Sequence, residues 1–196
     1  DLPEELAEWT QISVSRLAGS AFMGVYHDPR HEGNPPGFTV TCCEVELDLE
    51  TGKYEILDMV TIAESGTVVH PQGMENQLVG GAVWGIGLSG YERHLYDPQN
   101  GLPASTGYWQ SKVPTYLDTP VKIGTGWVDL PDPENPVGAR GIGEPSMGAV
   151  SAALTAAITD ALDGHHFATA PITADMIINH LAGTEDCLLY TSPSPR

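Results

Sequence analysis

Basic residues are scarce in this chain. Its 8 Lys and Arg stand against 26 Asp and Glu, giving a formal charge of −18 over 196 residues. With no basic patch to neutralise phosphate, the composition argues against nucleic acid and anionic membrane as partners. Long apolar runs are missing too. None approaches the roughly 20 residues that cross a bilayer, and Asp1-Leu2-Pro3-Glu4-Glu5 has neither the basic region nor the apolar stretch of a signal peptide. Cysteine is limited to Cys42, Cys43 and Cys187, with no Cys-x-x-Cys spacing. Neighbouring residues on a strand point to opposite faces, which disfavours structural zinc and a disulfide framework. A reducing compartment, the cytoplasm, is therefore expected, and the periplasm stands as the alternative location. The chain is not a disordered polyacid, since 41% of it is hydrophobic and the acids are dispersed. Its length suits one domain with a real core, or a piece of something larger.

Both ends read as unusual. The first residue is not methionine, consistent with a fragment or a processed chain. The tail Cys187-Leu188-Leu189-Tyr190-Thr191-Ser192-Pro193-Ser194-Pro195-Arg196 departs from the preceding helical pattern and resembles translated sequencing adapter. The fold is accordingly read over residues 1–186, with 187–196 set aside as a non-native tail.

Residues 6–26 do not settle between helix and strand, and the turn formers of 27–37 predict a loop. From Phe38 to Leu49 apolar and polar residues alternate, with a bulge expected at Cys42-Cys43, where the register changes. Thr51-Gly52 marks a hairpin, and Tyr54 to Ile62 predicts its second strand. Residues 72–92 read as a helix despite Gly80, Gly81, Gly85, Gly87 and Gly90. Each glycine costs a helix roughly 1 kcal/mol relative to alanine, so their expected use is close packing against backbone or cofactor. A short strand near Tyr91–Tyr96, a turn at Asp97–Gly101 and a strand over Val121–Val128 follow. Leu130–Pro136 reads as an acidic, proline-rich loop, and two helices are expected over Met147–Leu162 and Thr173–Leu181. The pattern is α+β, a mixed sheet with packed helices.

The segment Gly138-Ala139-Arg140-Gly141-Ile142-Gly143-Glu144-Pro145-Ser146 places one carboxylate on a glycine-hinged loop ahead of an Ala-rich helix. Pro145 suits a first helical position, and Glu144 or Ser146 could cap free N–H groups there. A catalytic base would be presented in the same way, so capping and catalysis both stand on the motif alone. Gln77 has the same ambiguity, between a solvent-facing amide and one aimed at a ligand. Other chemistries are set aside. Gly80–Gly87 lacks dinucleotide-loop spacing, and neither glycine cluster precedes Lys-Ser or Lys-Thr. His165-His166 fits a helix C-terminus better than a metal, and Ser146 with His70 lacks a nucleophile elbow.

Three blocks together resemble the molybdenum-binding subunit of the xanthine dehydrogenase and aldehyde oxidase family. They are Cys43–Asp48 with its hairpin Thr51-Gly52-Lys53, then Pro71-Gln72-Gly73-Met74-Glu75-Asn76-Gln77-Leu78-Val79-Gly80-Gly81, then Gly138-Ala139-Arg140-Gly141-Ile142-Gly143-Glu144-Pro145. The last is similar to the family's Gly-Ala-Lys-Gly-Val-Gly-Glu-Pro. The resemblance spans residues 38–182 and implies the C-terminal part of an aldehyde oxidase-type molybdopterin-binding domain. It implies that Glu144 is the catalytic base and that Gln77 hydrogen-bonds the cofactor. Gly80, Gly81, Arg140, Gly141 and Ile142 would line the cofactor, with no protein ligand to the metal. The implied cofactor is molybdopterin with molybdenum, in its cytosine dinucleotide form, with iron–sulfur and FAD centres on partner subunits. The implied reaction hydroxylates an aldehyde, purine or aromatic N-heterocycle with oxygen from water, or runs a related aromatic thioester reduction. The missing upstream part of the same subunit would supply the rest of the site. The alternative is a non-catalytic acidic binding or assembly domain on the same scaffold.

Several positions depart from the family pattern. Glu64-Ser65-Gly66 stands where Asp-x-Gly is usual, and His70 replaces an Asn before the proline. Asn76 replaces a Gly before the glutamine, and Ser111-Lys112 replaces an Asp-Tyr ahead of Val113-Pro114-Thr115.

Overall fold

A computed structural model describes residues 37–134 and 136–184. All described residues belong to one compact unit. The expectations for residues 6–26, for most of the 27–37 loop and for the 187–196 tail with Cys187 lie outside the described residues.

The hairpin forms as its alternation requires. Strand β1 (Phe38–Leu47) pairs antiparallel with β2 (Tyr54–Glu64). The turn is closed by Asp48, whose carboxylate accepts from the Glu50 N–H at 2.8 Å and the Thr51 hydroxyl at 2.7 Å. Gly52 sits at φ +68°, where a side chain would also strike the Ala174 carbonyl. The expected bulge is displaced. Glu44 faces Asp58 and Val45 faces Ile56, so the unpaired residue is Leu57 on β2, not a residue of the Cys42-Cys43 pair. β1 keeps an unbroken period of two. Cys43, Val45 and Leu47 pack against the core, while Phe38, Val40 and Cys42 face outward. The two cysteines lie on opposite faces, as two successive strand residues must.

The chain then crosses over through helix α1 (Pro71–Gly90) and one helical turn, α2 (Tyr108–Ser111). It returns as β3 (Ile123–Val128), parallel to β2, so the sheet is mixed with order β1-β2-β3. Between Tyr91 and Tyr96 no strand forms; the only ladder there is a single bridge from Tyr96 to Pro103. The turn beyond it is present, with the Gly101 N–H bonded to the Asp97 carbonyl at 2.8 Å.

Helices α3 (Pro145–Ala161) and α4 (Ala174–Leu181) complete the helical layer, which covers one face of the sheet. Ile56 and Met59 from β2, Ala82 and Ile86 from α1, Val150, Leu154 and Ile158 from α3, and Ile177 from α4 form one buried core. These are large apolar surfaces taken from water, at roughly 25 cal/mol per Å².

The glycines of α1 now separate by use. Gly81 and Gly85 are one turn apart on the buried face. A side chain on Gly81 would meet the Ser146 hydroxyl, and a Cβ on Gly85 would stand 2.6 Å from the Met147 carbonyl oxygen. Gly87 makes room for Pro114, and Gly90 for the Tyr54 hydroxyl. Only Gly80 of the five has nothing within 4 Å of where its Cβ would be.

Two outcomes follow. Gly85→Val should lower stability by about 1–3 kcal/mol through overpacking, read as a reduced unfolding midpoint. Burial and the nearby Asp58 charge push the Cys43 thiol up to about 11. At pH 8, mass-spectrometric mapping should therefore show iodoacetamide on exposed Cys42 well before Cys43.

Candidate active site

The site is built where the end of β2, the start of α1 and the start of α3 come together. After Glu64 the chain turns through Ser65-Gly66, and Gly66 forms an antiparallel bridge with Ala139. The Arg140 N–H donates to the Ser65 carbonyl at 2.6 Å. The Gly138 carbonyl accepts from Thr67 at 2.7 Å and Asp132 at 2.9 Å. Gly66 and Gly138 have φ of +71° and +73°, and a side chain on Gly66 would run into the Gly138 carbonyl. This close backbone contact fixes the first half of the Gly138–Glu144 loop.

The Arg140 side chain turns back under the loop. Its Nε donates to Asp132 at 2.9 Å and its Nη1 to Glu64. Both carboxylates also receive a backbone N–H, Glu64 from Gly66 and Asp132 from Glu134, each at 2.9 Å. The hydrogen bond to Asp132 and the Glu64 charge hold the guanidinium still more firmly protonated than usual. Sequence reading missed Asp132 and Glu64 as partners of Arg140. The available signals were the acidic loop and the unusual Glu64.

Glu144 occupies the N-cap position of α3, but its carboxylate is exposed and makes no capping bond. Ser146 does not cap either; its hydroxyl is fully buried against Gly81 with no hydrogen-bond partner. The capping expectation fails for both residues. Gln77 is exposed on α1, and its Oε1 lies 3.7 Å from where a Cβ on Gly143 would stand. The structure therefore brings Gln77 against the residue next to Glu144, although the two blocks are distant in sequence.

The other expected lining residues divide. Gly80 and Gly141 are exposed, with no atom within 4 Å of their would-be Cβ positions. Gly81 is a packing contact for α3, and the Arg140 guanidinium is engaged by Glu64 and Asp132. Ile142 packs on the small cluster of Ala63, Met74 and Leu78. His165 stacks on His180 of α4 at 3.5 Å between ring centroids, with Phe167 edge-on at 4.6 Å.

A family model described as the molybdopterin cofactor-binding domain matches residues 4–120. The chain belongs to the molybdopterin cofactor-binding domain family. The match includes Gln77 and Gly80 and ends before Glu144. Relatives extend the similarity. The gamma subunit of the 6-hydroxypseudooxynicotine dehydrogenase complex of Paenarthrobacter nicotinovorans is 36% identical over 74% of this chain and 18% of its own length. The xanthine dehydrogenase molybdenum-binding subunit of Escherichia coli O157:H7 is 30% identical over 76% of this chain and 20% of its own. Among solved structures, quinoline 2-oxidoreductase from Pseudomonas putida 86 matches with a TM-score of 0.66 and 32% identity, over 70% of this chain and 18% of that one. Aldehyde oxidoreductase from Desulfovibrio gigas matches with a TM-score of 0.66 and 25% identity, over 74% and 15%. The chain thus spans about a fifth of the length of the curated relatives it matches.

The described residues fit a molybdopterin group. Open space at Gly80 and Gly141 allows a ligand to approach backbone closely, and the Gln77 amide offers both a donor and an acceptor. The departures from the family pattern are also met locally. His70 caps α1 in place of an Asn, its Nδ1 accepting the Gly73 N–H at 2.6 Å. Lys112 donates to Asp118 at 3.0 Å and lies over the Tyr91 ring at 4.6 Å.

His70→Asn should preserve the start of α1, whereas His70→Ala should cost about 1 kcal/mol by loss of the cap. Amide exchange at Gly73 reads both. Asp118 provides a pH test. Partial burial pushes its carboxyl up, but hydrogen bonds from the Thr115 N–H and hydroxyl and from Lys112 outweigh this and hold it below the ordinary value of 3.8. Its stabilising effect is complete above that value and is lost as pH falls through the lower folded-state pKa. Protection of the Thr115 and Asp118 amides, relative to their intrinsic exchange rates, should fall only in that acid range.

Proposed function

We propose that this segment supplies the catalytic base and part of the cofactor cradle of a molybdenum hydroxylase large subunit. The observation that carries the reading is the approach of Gln77 to Gly143, the residue before Glu144, with open space at Gly80 and Gly141. When bound, the molybdenum cofactor supplies activation of water and acceptance of two electrons. The residues of this chain do the rest of what is assigned here. The Glu144 carboxylate, exposed and uncommitted to its helix, takes a proton from the attacking water-derived oxygen. Gln77 orients the cofactor through its amide, and Gly80 and Gly141 let the ligand lie against the main chain.

The substrate is an aldehyde, purine or aromatic N-heterocycle. The relative named for quinoline supports the N-heterocycle. The cofactor is assigned as the cytosine dinucleotide form, with iron–sulfur and flavin subunits as electron partners and the cytoplasm as location. Both relatives above are themselves subunits. Among the described residues no helix is long and apolar enough to cross a membrane. The upstream part of the subunit supplies the remaining cofactor and substrate contacts, so residues 1–186 alone should neither retain molybdopterin nor turn over. Stoichiometric molybdenum in the purified chain would overturn that.

In the full-length enzyme, Glu144→Gln should leave molybdenum content unchanged and lower turnover by about 10²- to 10⁴-fold. Normal turnover would favour a non-catalytic binding domain. Gly80→Ala gives an independent reading. Alanine fits the open space and should stabilise α1 by up to about 1 kcal/mol. If the cofactor approaches Gly80, the same change should lower molybdenum content despite the gain in thermal stability.

A further inference from the structure

We infer that Arg140 is the positioning residue for the Glu144 carboxylate, acting through a clamp formed by Glu64 and Asp132; this rests on the reading of Glu144 as the base. The loop between Arg140 and α3 contains only Gly141, Ile142 and Gly143 before Glu144. Two of these have no side chain to anchor; nothing lies within 4 Å of where a Cβ on Gly141 would be, and its carbonyl faces Gly37. The pose of the loop is therefore set by its fixed points. Ile142 is one, seated on Ala63, Met74 and Leu78. The first turn of α3 is another, held against Gly81 and Gly85. The third is Arg140, tied through its own N–H to Ser65 and through two different nitrogens of its side chain to two carboxylates.

The clamp has the geometry of a rigid fork. Nε and Nη1 each take one carboxylate, and those carboxylates are oriented in turn by the Gly66 and Glu134 N–H groups. A planar guanidinium fixes direction as well as charge; an ammonium supplies charge alone. The Asp132 side chain is 2% exposed and Arg140 19% exposed, so water competes little for these bonds. The clamp joins the end of β2, the acidic 129–134 loop and the Glu144 loop at one point. A shift there moves the carboxylate and the Gly141 backbone, leaving Gly80 on α1 in place.

The test uses the full-length subunit in its enzyme complex, comparing wild type, Arg140→Lys, Glu64→Gln and their combination. Arg140→Lys keeps the charge and loses the fork. It should lower kcat per bound molybdenum about ten- to a hundredfold, since small misplacements of reacting groups cost that much, with KM unchanged. Amide exchange at Gly141–Glu144 should accelerate while that of α1 stays constant. Glu64→Gln should act in the same direction, and the double variant should fall no further than Arg140→Lys, because both break one clamp. Unchanged kcat and unchanged loop exchange in Arg140→Lys would overturn the inference. So would a loss of kcat explained by lost molybdenum or by faster exchange throughout the subunit. The exchange result stands apart from the catalytic assignment: if Glu144→Gln were fully active, that assignment would fail even with the clamp shown to order the loop.

Discussion

The contact between α1 and the first turn of α3 is the constraint on which the site depends. Gly81 and Gly85 leave a notch one helical turn long, and Ser146, Met147 and Val150 lie in it. Alanine or larger at either position would push α3 away from α1. Because Glu144 directly precedes α3 and Gln77 lies one turn before Gly81, the packing distance between the helices also sets the distance between the two site residues. The helical cost of glycine is thus exchanged for proximity. The buried core below, from Ile86 and Val150 to Ile56 and Met59, holds both helices on the same sheet face.

A second layer of constraint comes from charge. The chain is strongly acidic, yet two of its few cations are placed where they do local work. Arg140 brings together Glu64 and Asp132, and Lys112 is shared between Asp118 and the Tyr91 ring. Positions that depart from the family pattern fall at such points. Glu64 reaches Arg140, His70 presents an acceptor where an Asn side chain would, and Lys112 finds an acid and an aromatic face. The neighbouring histidines follow a similar logic, with His165 stacked on His180 between α3 and α4.

Much of the fold was legible along the chain because it depends on local pattern. Alternation from Phe38, the Thr51-Gly52 turn, and the helices ending near Gly90, Leu162 and Leu181 all follow from residues close in sequence. Errors arose where the deciding partner was distant. The bulge was assigned to Cys42-Cys43 on one strand, but register belongs to a pair of strands, and Leu57 on the other carries the extra residue. Near Tyr91 the apolar residues suggest a strand, but among the described residues only the Tyr96–Pro103 bridge pairs with that segment.

The amino-acid order by itself determined the hairpin, the helical segments, the family and the two residues, Gln77 and Glu144, that distinguish its second and third motif blocks. Those features are written in spacings of a few residues, or in side chains whose chemistry is apparent wherever they sit. Tertiary structure decided what each glycine does and where each charge points. Gly80 and Gly81 are neighbours in sequence, yet one faces open space and the other the Ser146 hydroxyl. Arg140 lies inside a motif read as cofactor-lining, yet its guanidinium turns to Glu64 and Asp132. The physical reason is the same in both cases. A backbone without a side chain, or a long flexible cation, takes its role from what packs beside it, and that is fixed only when distant segments meet.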